Sequence, residues 1–335
     1  MKIGNVDLHQ DVLLIAEIGN NHEGDVELAE RMIGLAADAG AHAVKFQTID
    51  PERLVAAHET ARIKQLSGYA LSRTEHEHLA KAADQFGVMF ISTPFFLDAV
   101  DWLEPLVPAF KIASGDNDFG PLLSRVAKTE KPVILSTGMS DLDDVKYSRK
   151  VINDIWINRN ITPALALLHC ISAYPTSPED VNLSSMQDLA PLCQSIGFSD
   201  HTLGIEAAVL AVAAGARIIE KHFTIDKNQS NFRDHQLSAD PTELKQLANR
   251  IVQANRILGH RGKKIAESEK PVAAAARRSI IARQNMPAGA VIKLEDLDWL
   301  RPGDGMSPKF TSDFIGHTLS RNVKCGEILS LDILN

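Results

Sequence analysis

Eight short runs rich in apolar and β-branched residues recur along the chain, at 12–19, 43–48, 88–94, 109–114, 132–137, 164–170, 195–200 and 217–223. A stretch of helical period separates each run from the next. In 25–39, for example, Leu28, Met32, Leu35 and Ala36 fall on one helical face. Parallel strands need crossover connections, so a repeated strand–helix order predicts a parallel sheet. Eight such units within roughly 260 residues predict a TIM (β/α)8 barrel rather than an open doubly wound sheet. No GxGxxG follows the first run, which argues against the dinucleotide-binding form of the open sheet.

The pattern changes after 242–258, which reads as a closing helix. The expected division is a barrel over 1–258, a linker over 259–276 and a small β-rich domain over 277–335. The linker is charged and then rich in alanine, and the last segment carries short strands and turn signals. Within it, PAGAVI and KCGEIL repeat one turn motif. A core of about 60 residues is marginal and gains by packing on a larger surface, a partner subunit's included. The chain of 335 residues is 44% hydrophobic and 23% charged, which excludes disordered, collagen-like and coiled-coil classes. With 35 Lys and Arg against 43 Asp and Glu, the net charge of −8 gives no general attraction for nucleic acid. Cys170, Cys193 and Cys325 are too few and too widely spaced for a disulfide framework or a cysteine zinc site. No apolar run of membrane-spanning length occurs, and the opening MKIGNVDLHQ lacks the apolar core of a signal peptide. A reducing cytoplasm is the expected location.

A TIM barrel carries its active site at the C-terminal ends of its strands. Those ends read AEIGNNHEG, VKFQT, ISTP, KIASGD, LSTGMS, HCISAYP, FSDHT and EKHFT, polar in nearly every case. His201 and His222 end neighbouring strands, and alternation puts Ser199 with His201 and Glu220 with His222 on shared faces. Two imidazoles at matching height can grip one divalent metal and leave positions open for water and substrate. The plainer alternative is two buried histidines bonded to backbone. Lys45 and Lys111 sit in apolar strands, where an ammonium is costly unless it meets an anion. With Gln47, Ser114, Ser136, Thr137 and Ser199 they suggest a phosphate or carboxylate cradle. Salt bridges to Glu17 or Glu220, with serines capping helices, would explain the same residues. Lys221 has the opposite parity to His222 and is not placed in the site. Glu17 and Asp116 are the candidate proton carriers. Such a set suits carbon–carbon bond chemistry on a phosphorylated keto acid, and equally metal-assisted hydrolysis.

At these residues the chain resembles the sialic acid synthase family, which includes legionaminic and pseudaminic acid synthases and spore-coat polysaccharide relatives. AEIGNNHEG, KFQT, STPF, FKIASGD, PVILSTGMS, FSDHTLGIEA and IEKHFT fit in order, and ARRSIIA with RPGDGMSP resembles the family's antifreeze-like (SAF) domain. The resemblance implies condensation of phosphoenolpyruvate with an N-acetylmannosamine-type sugar and water, giving a nine-carbon 2-keto-3-deoxy acid and phosphate. It implies that His201 and His222 bind Mn²⁺, or Mg²⁺ or Co²⁺ in its place. It places Lys45, Lys111, Thr93, Ser114, Ser136 and Ser199 at phosphoenolpyruvate, supported by Gln47, and Glu17 and Asp116 at proton handling. Ser172, Tyr174, Asp234 and Arg301 fall on the sugar side, with Arg301 coming from the other subunit of a domain-swapped homodimer. Ser172 stands where sialic acid synthases often have Asn, Asp116 where they usually have Glu, and FRDH replaces the usual GPDH. These departures keep a diamino-trideoxy hexose open as the acceptor. The stretch 50–74 resembles the family least and is assigned no role. Outside the family reading stand a metal-dependent hydrolase and an ice-binding protein. Charged residues throughout 277–335 speak against the second.

Overall fold

The structure is a computed structural model that describes residues 1–259 and 262–335. It forms two compact units, Met1–Gly259 and His260–Asn335.

In the first unit all eight expected strands form, as β1 (Leu13–Gly19), β2 (Ala43–Thr48), β3 (Met89–Pro94), β4 (Phe110–Ile112), β5 (Val133–Ser136), β6 (Leu165–Cys170), β7 (Ser195–Asp200) and β8 (Ile218–His222). They make one parallel sheet in the order β3-β2-β1-β8-β7-β6-β5-β4, and its two end strands lie side by side. The sheet is therefore a nearly closed (β/α)8 barrel. The fourth strand is shorter than expected because the chain turns into a 3₁₀ turn at Ser114–Asp116. The closing helix runs Pro241–Leu258, started by Asp240, whose side chain accepts the N–H groups of Thr242 and Glu243.

Alternation divides every strand between two environments. Outward residues such as Leu14, Val44, Phe46, Phe90, Leu135 and Phe198 pack under the helices. Inward residues are layered by height. Leu13, Ile15, Ala43, Ile91, Ala109, Ile134, Leu168 and Ile218 fill the lower barrel, and a short N-terminal hairpin (Lys2–Ile3, Val6–Asp7) adds Ile3 and Val6 to that core. Two residues further along the same inward faces stand Glu17, Lys45, Thr93, Lys111, Ser136, Cys170 and Glu220. An apolar floor thus sets the height and direction of a polar ceiling.

The second unit is built around the antiparallel strands β9 (Ser279–Ala282) and β10 (Leu297–Leu300). Its core holds Ile280, Met286, Ile292, Leu297, Phe314, Leu319, Val323 and Leu329. The repeated turn motif forms twice, and each copy binds the segment that precedes the other. Gly289 N–H donates to Leu319 O and Gly326 N–H to Ala282 O, both at 2.7 Å. Ile292 N–H meets His317 O and Leu329 N–H meets Ile280 O, both at 2.9 Å. On the pseudo-twofold between the copies, Met286 and Val323 exchange both backbone bonds at 2.9 Å. Both turn glycines adopt the left-handed conformation, φ +80° and +82°. The stretch 259–276 includes residues 260 and 261, which lie outside the described residues; further on it carries a helical segment at Lys270–Ala276.

Candidate active site

The polar ceiling opens into a cavity of about 880 Å³. Glu17, Lys45, Gln47, Lys111, Ser114, Ser136, Ser172, Tyr174, Ser199, His201, His222 and Asp234 all line it. Four other candidates do not; one of them, Thr137, donates its hydroxyl to the Leu168 carbonyl at 3.0 Å. Thr93 lies behind Lys45, whose Nζ donates to its Oγ1 at 3.3 Å. Asp116 ends the 3₁₀ turn that directs Ser114 into the cavity, and its own carboxylate falls outside the lining. Arg301 is an exposed residue just after β10 in the second unit.

Two ammonium groups and two carboxylates form the floor of the cavity. Lys45 Nζ stands 2.8 Å from Glu17 Oε2 and 3.8 Å from Glu220 Oε2. Lys111 Nζ is 3.8 Å from Glu220 Oε1 and donates to Ser136 Oγ at 2.7 Å and to Ile112 O at 3.1 Å. Glu220 Oε1 also accepts from Ser199 Oγ at 2.9 Å, across the β7–β8 register that pairs these two residues. Gln47 bridges Glu17 and Asn20, donating to the first at 3.2 Å and accepting from the second at 3.0 Å. The salt-bridge alternative for the lysines is therefore realised, but inside the cavity rather than away from it.

Burial pushes the Glu17 carboxyl up, even with Lys45 beside it. The same burial acts on Glu220, but Lys111 and Lys45 outweigh it and hold Glu220 below the usual range. Burial lowers Lys111, which Glu220 only partly offsets. For Lys45 burial works downward, yet Glu17 and Glu220 prevail and its pKa is raised. The floor thus favours an ionised Glu220, a protonated Lys45 and a Glu17 biased toward its neutral form.

The two imidazoles converge above this floor, their ring centres 5.3 Å apart. His201 Nδ1 is 2.8 Å from the Ile171 carbonyl, which can only accept, so Nδ1 carries a proton and Nε2 is the nitrogen left for a ligand. Burial, then repulsion from His201 and Lys45, keep His222 well below the ordinary histidine value and hence neutral. Its Nδ1 is buried without a hydrogen-bond partner. Burial pulls the His201 pKa down, but the Cys170 contact and the Ile171 carbonyl outweigh it and raise it, so a cation bound there displaces a proton. His222 is neutral already, and with that proton gone the two imidazoles form a donor set that fits a divalent cation. Among the described residues no cluster of three or more His, Cys, Asp or Glu is placed to hold one. Tyr174 packs on His201 at 4.3 Å between ring centres, and Arg233 lies over the tyrosine ring at 4.8 Å. Lys221 points away from the cavity to Asp200 Oδ2 at 3.0 Å, as its parity predicts.

Sequence reasoning missed several lining residues. Glu220 had a readable signal, its shared parity with His222, but no role beyond that of a counter-ion. Cys170, 3.7 Å from His201 Nδ1, is hidden inside an apolar strand. Arg62, Gln65, Leu66 and Tyr69 come from the stretch 50–74, to which no role was assigned, and all four line the cavity.

The profile of the NeuB family matches residues 32–263 and that of the SAF domain residues 277–334. This (β/α)8 barrel with a C-terminal SAF module is a synthase of that architecture. The chain belongs to the NeuB family. An N,N'-diacetyllegionaminic acid synthase of Legionella pneumophila is 40% identical over 94% of this chain and 92% of its own length. A second enzyme of that name, from Campylobacter jejuni, is 36% identical over 95% of this chain and 98% of its own. The crystal structure of an N-acetylneuraminic acid (sialic acid) synthetase from Leptospira borgpetersenii superposes with a TM-score of 0.76. It is 34% identical and covers 81% of this chain and 94% of its own.

Proposed function

We propose that this chain condenses phosphoenolpyruvate with an N-acylated amino-hexose and water to give a nine-carbon 2-keto-3-deoxy acid and phosphate. The observation that carries this reading is the buried pair Lys45 and Lys111, flanking Glu220 beneath two convergent imidazoles. A hydrolase would use the imidazoles but leave that ammonium floor without a task. The lysines hold the phosphate and carboxylate of phosphoenolpyruvate, with Ser114, Ser136, Ser199 and Thr93 as hydroxyl donors and supports, and Gln47 orients Glu17. C3 of phosphoenolpyruvate bonds to the aldehyde carbon, whose oxygen takes a proton. Water oxygen adds at C2, and the C2–O bond breaks to release phosphate. Glu17, biased toward its protonated form, handles the proton. Asp116 assists from the rim. His201 and His222 would hold a divalent cation, Mn²⁺ or else Mg²⁺ or Co²⁺, which supplies Lewis-acid polarisation of the aldehyde. Ser172, Tyr174 and Asp234 meet the sugar, joined by Arg301 from a second subunit in a domain-swapped homodimer. In this reading 1–258 is the catalytic barrel, 259–276 the connection and 277–335 the SAF module, working in the cytoplasm.

The acceptor is N-acetylmannosamine-type on the sequence resemblance. A diamino-trideoxy hexose is the second reading, favoured by the names of the two relatives at 40% and 36% identity. The test is phosphate release from phosphoenolpyruvate across a panel of amino-hexoses with Mn²⁺. Release that requires both acceptor and metal is expected. No release with any acceptor overturns the reading, and an active monomer in solution overturns Arg301 acting in trans.

A further inference from the structure

Arg62, Gln65 and Leu66 of helix Thr60–Ser67, with Tyr69 just after it, form one wall of the cavity, and Phe232 packs against that wall at Tyr69. The wall has two parts. Leu66 is buried, and the Tyr69 and Phe232 rings lie 5.1 Å apart, making an apolar corner. Beside it Arg62 Nη1 donates to Gln65 Oε1 at 2.7 Å, leaving the remaining guanidinium N–H groups and the Gln65 amide N–H as donors. The helix end is seated against the loop after β1, since a Cβ on Gly24 would lie 2.2 Å from the Gly68 carbonyl oxygen. A donor pair beside an aromatic corner matches a methyl-bearing amide: the amide oxygen accepts and the methyl group packs. A bare hydroxyl would leave the corner unfilled.

We propose that Arg62 and Gln65, with the Leu66–Tyr69–Phe232 corner, select an acceptor hexose carrying a second N-acyl group. This rests on the condensation reading above and specifies its acceptor. Arg62 and the corner act as specificity-determining residues and take no part in bond making.

The experiment compares two acceptors that differ only in an N-acetyl group or a hydroxyl at one ring carbon. Their kcat/KM ratio is measured with phosphoenolpyruvate and Mn²⁺, and their direct binding by calorimetry. In Arg62→Ala the preference for the diacetamido sugar is expected to fall about tenfold, the scale of one lost charged hydrogen bond. Phe232→Ala is expected to reduce it in the same direction. Lys64→Ala, on the same helix but outside the cavity lining, is expected to leave the ratio alone. Equal losses on both acceptors, an equal shift in Lys64→Ala, or no preference in the unaltered protein by either readout overturns the proposal. If turnover fails with every sugar while binding still shows the Arg62-dependent preference, the wall stands and the condensation reading falls.

Discussion

Ser199 and Glu220 face each other across the β7–β8 register, and the serine hydroxyl donates to the carboxylate at 2.9 Å. This bond holds Glu220 between two ammonium groups it does not touch closely, each 3.8 Å away. Its charge is what offsets the burial of Lys111. Glu220→Gln removes that offset, so the Lys111 pKa falls further. If protonated Lys111 holds the phosphorylated substrate, the alkaline limb of the kcat/KM profile for phosphoenolpyruvate moves to lower pH. A pH–rate profile of the variant checks this; a limb that stays in place would remove Glu220 from the cradle.

His222 is neutral and its Nδ1 lacks a partner. Replacing it by Ala strands no charge, so the fold is expected to survive. Calorimetric titration with Mn²⁺ is expected to show binding in the unaltered protein and none in His222→Ala, with circular dichroism unchanged. Retained binding would dismiss the two-imidazole site.

Asp116 is raised from the ordinary 3.8 to about 6, by burial and then by the nearby Asp118. The folded chain therefore holds this proton more tightly than the unfolded one. Stability is lost as pH rises through the window from about 4 to about 6, and stays lost above it. Asp116→Asn is expected to be the more stable protein at pH 8, by about 1 kcal/mol after discounting for partial exposure. At pH 4 the two should melt together. Thermal unfolding at both pH values decides it.

Gly24 has φ +84° and lies against the Gly68 carbonyl. Gly24→Ala meets both a left-handed backbone penalty and a clash, costing about 2 kcal/mol or more. Because the displaced backbone carries the wall helix, the acceptor preference should drop together with the melting temperature. A stability loss with the preference intact would show that the wall does not depend on this seat.

The barrel was legible because its signal is repeated. Eight apolar, β-branched runs separated by stretches of helical period have few other readings, and each strand lies within the expected limits. Alternation put Ser199 with His201 and Glu220 with His222 on shared faces, and all four line the cavity. What alternation cannot show is which loop folds back over the rim. Arg62 and Gln65 sit on a short helix without a strong apolar face and Tyr69 just after it, outside any strand, where the helix end meets the loop at Gly24. Arg62 in particular looks in sequence like any solvated arginine.

In the SAF module, Met286 and Val323 serve as each other's partner, and the backbone bonds of Gly289 and Ile292 in one turn copy are mirrored by those of Gly326 and Leu329 in the other. Neither half can complete its ladder alone, so the module behaves like a dimer joined head to tail in one polypeptide. Cutting it between the copies would strand amides on both sides at once. Its order must be acquired and lost as a unit, however few residues it contains.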